Sequence, residues 1–151
     1  MSFWVITDSG LGGLSIAARC FQMLEVTPKS AAAVSGDELV YVNAVPHKDR
    51  GYNTMVSRAE RLQTFRGLLQ RVNRDLQPQG ILVACHSLSL FLPELKDEFG
   101  SALDLRGVVE PTRTLGRKIL ADTEEELMIF ATPSTVAESV YKKALTAEHP
   151  E

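Results

Sequence analysis

The chain is poor in the residues that mark several common kinds of site. Its 151 residues include only two cysteines, Cys20 and Cys85, with no CxxC pair, and only three histidines. That scarcity argues against a disulfide framework and against a zinc site of the usual Cys/His spacing, and it predicts free thiols in a reducing, cytoplasmic setting. Basic residues are not in excess, since the formal net charge is −3. General nucleic-acid binding is therefore not expected, although a local site for a small anion is compatible with that balance. No apolar run approaches the roughly 20 residues that span a bilayer. The opening MSFWVITDSG has neither the basic start nor the long apolar stretch of a signal peptide, so no membrane association is expected. Internal repeats and low-complexity segments are also lacking.

What is present is an ordinary globular composition, 44% hydrophobic and 23% charged, in a chain long enough to bury a sizeable core. Apolar runs alternate with helical patterns. Phe3–Thr7 reads as a first strand ending at Asp8-Ser9-Gly10, and Leu39–Val42 as a second. Ile81–Ala84 reads as a third, with a fourth near Arg106–Val109 and a fifth at Leu127–Ala131. Between the first two strands, Leu14, Ala17, Ala18, Phe21 and Leu24 share one face of a helix, expected to be its core face. Residues 27–37 read as a loop. Ser57 and Glu60 have capping-box spacing ahead of a long helix with Leu62, Phe65, Leu69, Val72 and Leu76 on its buried side. Strands separated by helices predict an α/β fold with a mostly parallel, doubly wound sheet. In such sheets ligands bind beyond the carboxyl ends of the strands, which makes the strand ends the places to search.

Each strand end, taken alone, is a weak signal. Asp8-Ser9-Gly10-Leu11-Gly12-Gly13 joins a strand to a helix through three glycines, but it has no Walker lysine and does not fit GxGxxG. Cys85 closes an apolar strand ahead of His86 and Ser87. By itself it is more readily a buried structural cysteine than a reactive one. Thr132-Pro133-Ser134-Thr135 opens a helix, with Ser134 or Thr135 as its expected cap. Glu110-Pro111-Thr112 reads as a strand exit bearing a carboxylate. Cys20 reads as packing, Trp4 as core or interface, and His47–Arg50 and the acidic run 122–126 as solvated.

Together, DSGLGGLSI, a Val-Pro loop after the second strand, LVACHSLS, VVEPT and FATPSTVAESVYKKAL occur in an order that resembles the aspartate/glutamate racemase family, from about Phe3 to Leu145. The resemblance implies a cofactor-independent racemase of an acidic amino acid, glutamate or aspartate, held between two α/β domains. Two cysteines would act on opposite faces of Cα, one as thiolate base and one as thiol acid. By the same match Cys85 is the first catalytic cysteine, with Asp8 assisting proton transfer or meeting the ammonium group. Ser9, Ser87 and Thr135 are substrate-binding, and Glu110 is the carboxylate of the fourth strand's loop. His86 stands where the family has Asn, and Val45-Pro46-His47-Lys48-Asp49-Arg50-Gly51-Tyr52 replaces a shorter Val-Pro-Tyr-Gly loop, with Gly51 and Tyr52 as substitutes for the missing pair. The resemblance divides the chain into a first domain, 1–92, and an incomplete second one, 93–151. It lacks the motif carrying the second cysteine, so the fold is expected to be a shortened racemase supplying one thiol. A shortened chain would expose the face meant for its second half, which allows a homo-oligomer. A non-catalytic or half-site protein binding a small carboxylate, or a one-cysteine decarboxylase or isomerase, fits the same residues. No cofactor, metal, nucleic acid or membrane enters either reading.

Overall fold

The computed structural model describes residues 3–26, 38–100, 103–122 and 126–146. Four short strands form one sheet: β1 (Phe3–Asp8), β2 (Glu38–Asn43), β3 (Gly80–Val83) and β4 (Asp104–Gly107). All pair in parallel in the order β2-β1-β3-β4. Parallel neighbours need crossover connections, and these are supplied by α1 (Gly13–Val26), α2 (Arg58–Leu76), and α3 (His86–Ser89) with α4 (Leu92–Phe99). Beyond β4 follow α5 (Val109–Asp122), α6 (Pro133–Ala137) and α7 (Val140–Thr146). The sheet runs across residue 92, because β4 lies beside β3.

Alternation along the strands sends Val5, Ile81, Val83 and Leu105 into the core that α2 and α4 cover, together with Phe65, Leu69, Leu92 and Leu95. Burying one such side chain contributes about 1.5–3 kcal/mol. Ser57 caps α2 by accepting the Glu60 N–H, as its spacing predicts. The helix stops at Leu76, where Gln77 turns left-handed with φ of 50°. Trp4 is buried on the other face of the sheet, under the Arg106 guanidinium. Its ring leaves no room for a side chain at position 80, where a Cβ would lie 2.6 Å from it.

Three expectations need correction. The helical stripe on α1 is not a core face, since Leu14 and Phe21 are exposed, Phe21 to 52%. Leu127–Ala131 forms no strand: this stretch is irregular, and Met128 and Phe130 are exposed. A strand needs a neighbour for its backbone groups, and among the described residues the sheet has none to offer there. Finally, α6 is capped by Thr132, which accepts the Thr135 N–H, rather than by Ser134 or Thr135. The loop expected at 27–37 and residues 123–125 of the acidic run lie outside the described residues.

Candidate functional site

Pairing β1 with β3 brings two distant turns together at one edge of the sheet. Asp8 ends β1 and Cys85 lies two residues beyond β3, as the N-cap residue of α3. Ser9 Oγ and Cys85 Sγ share a hydrogen bond at 3.1 Å across 76 residues of sequence. Cys85 itself is buried.

Asp8 is buried, and its carboxylate organises the turn into α1. Oδ2 accepts the backbone N–H groups of Gly13 at 2.9 Å and Gly10 at 3.3 Å. These are donors that a helix start otherwise leaves unpaired. The second oxygen, Oδ1, has no hydrogen bond among the described residues. Gly13 is required by this closeness: a Cβ there would fall 2.5 Å from the Asp8 Cβ and 3.2 Å from the Ala84 Cβ. Tyr41, on β2, donates its hydroxyl to the Gly10 carbonyl at 3.0 Å and so pins the same turn from the neighbouring strand. Burial raises the Tyr41 pKa, and the negative charges of Asp8 and Cys85 add to the rise.

A second cluster adjoins Cys85. Ser87 Oγ lies 2.9 Å from Thr135 Oγ1 and 3.0 Å from Thr132 Oγ1, and Thr132 reaches Ser134 at 3.1 Å. Four hydroxyls thus meet where α3 faces α6. Thr135 is buried, and Arg58 holds α6 in place through Glu138 at 2.8 Å. A hydroxyl offers one donor and two acceptor positions, so this set can re-aim hydrogens toward an oxygen-rich ligand.

His86 is exposed but packs edge-on against Tyr141, with ring centroids 5.9 Å apart. Its Nε2 lies 3.1 Å from Thr112 Oγ1, while the Thr112 hydroxyl donates to the Val108 carbonyl at 2.7 Å. The single hydroxyl hydrogen is therefore spent on Val108. His86 must donate, which assigns the neutral ring to the Nε2–H tautomer with Nδ1 as acceptor. Desolvation lowers the His86 pKa, partly offset by the Asp8 carboxylate.

Gly51 and Tyr52 open a single 3-10 turn, Tyr52–Thr54. The Tyr52 ring meets Phe65 edge-on, and its buried hydroxyl has no hydrogen-bond partner. Burial raises the Tyr52 pKa strongly, the Cys85 charge adds to this, and Arg71 opposes it. Glu110 sits in the first turn of α5, not in a strand exit, and is exposed and paired with Arg113 at 3.0 Å. Cys20 lies on α1 seven residues beyond Gly13, about 10 Å along the helix axis at 1.5 Å per residue. No group of three or more His, Cys, Asp or Glu able to hold a metal exists among the described residues.

Sequence reasoning named Asp8, Ser9, Cys85, His86, Ser87 and Thr135 but missed Tyr41 and Thr132. Tyr41 reads as one more aromatic in a strand, and only the β1–β2 register, which sets Ile6 beside Tyr41, reveals its reach to the turn. Thr132 did carry a signal, because a threonine just ahead of Pro at the first helical position is a capping pattern.

No protein-family model matches the sequence, and no curated protein does. Solved structures do match. The glutamate racemase from Aquifex pyrophilus superposes with a TM-score of 0.58 and 24% identity, covering 97% of this chain and 52% of that one. The glutamate racemase from Francisella tularensis, solved in complex with D-glutamate, superposes with a TM-score of 0.64 and 21% identity, covering 99% of this chain and 49% of that one. The chain thus has the fold of these glutamate racemases, over about half of their length.

Proposed function

We propose that this chain carries a thiol-centred site that removes and returns the α-proton of an acidic amino acid, as a glutamate-racemase-like half-site. The observation that supports it most is the Ser9–Cys85 hydrogen bond at 3.1 Å, beside the buried Asp8 carboxylate. In this reading the Cys85 thiolate takes the α-proton and becomes a thiol. Ser9 holds the sulfur in position, and Asp8 Oδ1 faces the substrate ammonium. Ser87 and Thr135 turn their hydroxyl hydrogens toward the α-carboxylate, with His86 beside them, and Gly51-Tyr52 borders the side chain. Fixed donors of this kind stabilise the charge that develops as the proton leaves.

Proton removal and return by one thiol give exchange at Cα. Inversion needs an acid on the opposite face as well, and Cys20 is too far down α1 to be that group. This favours a second reading, in which the site binds a small carboxylate without inverting it.

Incubation with L- and D-glutamate and L- and D-aspartate in heavy water tests both. The expected result is deuterium at Cα that Cys85→Ala abolishes while binding is kept. Binding with no exchange for any of the four would leave the carboxylate-binding reading and overturn the catalytic one.

A further inference from the structure

A second concavity lies on the flank of the sheet, away from the Ser9–Cys85 turn. It is a cavity of about 450 Å³ between the outer edge of β2 and the length of α2. Its floor is apolar, from Val42, Leu68 and Val72, and four polar side chains border it, Tyr52, Thr64, Arg71 and Asp75. The volume is in the range of small-molecule sites, which are mostly apolar with a few placed polar groups.

Neither Tyr52 nor Arg71 is spent within the protein. The Tyr52 side chain is 4% exposed, and its hydroxyl has no partner. Native structures rarely leave a buried hydroxyl in that state, and each such group calls for an explanation. Arg71 makes no ion pair with another described residue. Asp75 also borders the cavity one helical turn on. Its carboxylate is held at both oxygens by Arg74, at 2.7 and 3.1 Å, and the Arg71 charge acts on it too, though the two form no ion pair. The Arg71 charge acts on the Tyr52 phenol, which puts the two donors within reach of one another's field.

We propose that the β2–α2 cavity is a second binding site, taking a small monocarboxylate with an apolar tail. The tail lies on Val42, Leu68 and Val72, and the carboxylate accepts from the Arg71 guanidinium and the Tyr52 hydroxyl. Tyr52 is shared with the strand-end reading, since it also lines a small pocket with Ser87, but the cavity does not depend on Cys85 doing chemistry.

Hexanoate, with neutral hexanamide as control, tests this by amide chemical shifts of the full chain. Saturable shifts centred on Val42, Leu68 and Arg71 are expected for hexanoate, with hexanamide binding at least about fivefold more weakly. Arg71→Gln, an exposed helical change, should weaken hexanoate about tenfold, and Leu68→Trp should fill the cavity and remove binding. Equal affinity for acid and amide, unchanged affinity in Arg71→Gln, or no saturation by millimolar hexanoate would each overturn the proposal. So would shifts confined to Ser9, Cys85 and Ser87, which would instead favour the strand-end site.

Discussion

Ser9 and Cys85 are 76 residues apart in sequence, yet their Oγ and Sγ atoms meet at 3.1 Å. A hydroxyl beside sulfur stabilises a thiolate more than a thiol, since hydrogen bonds to charged groups contribute about 1.5–3 kcal/mol. Ser9→Ala is therefore expected to slow deuterium incorporation at Cα by on the order of tenfold or more. An unchanged initial rate in this variant would remove Ser9 from the site.

The Gly13 position is set by Asp8. With a Cβ only 2.5 Å from the Asp8 Cβ, Gly13→Ala must displace the carboxylate or the helix start. It should lower unfolding free energy by about 1–3 kcal/mol, the usual cost of overpacking. Gly51→Ala is the control, because nothing lies within 4 Å of the added methyl. Urea denaturation of the two variants separates them, and equal midpoints would contradict the geometry.

Leu69 is fully buried on α2, whereas Phe21 stands out from α1. Leu69→Ala should cost about 2–5 kcal/mol. Phe21→Ser should change stability by no more than about 0.5 kcal/mol. A large loss for Phe21→Ser would mean that α1 is covered in solution, by another copy or another segment.

His86 predicts a pH dependence whose sign follows from its surroundings. Its folded-state pKa is lowered, first by desolvation. The folded protein therefore binds that proton less readily than the unfolded chain. Full stability is kept above the unfolded value near 6.5 and is lost as pH falls from there through the lowered folded pKa. His86→Asn should flatten this part of the curve of thermal midpoint against pH. If the slope between pH 7 and 5 is the same in both proteins, His86 does not carry it.

Much of the fold was legible because β1, β3 and the middle of α2 bury what their patterns mark as apolar, although Leu76 at the end of α2 is exposed and Leu62 half-buried. Val5, Ile81, Val83, Phe65 and Leu69 are among the most buried side chains. The periodicity of α1 misled because a stripe of apolar residues reports a capacity for burial, not a partner. The same holds for Leu127–Ala131, whose β-prone composition found no strand to pair with among the described residues. At the candidate site, Asp8, Ser9 and Cys85 were only weak signals at their strand ends, and it was the order of motifs shared with the racemase family that singled them out. The hydroxyl cluster of Ser87, Thr132 and Thr135 was only half readable, since it depends on α6 docking against α3.

The sheet order has a consequence for synthesis. β1 is flanked by β2 on one side and by β3 on the other, so its pairing cannot be completed until residues 80–83 follow it from the ribosome. Contacts of such long sequence separation are slow to form. Asp8 and Ser9 must wait, with one edge of β1 unpaired behind them, for nearly eighty residues before the thiol they face exists. A nascent chain halted within α2 would carry the DSGLGG turn without its site, and with a bare β1 edge open to wrong partners.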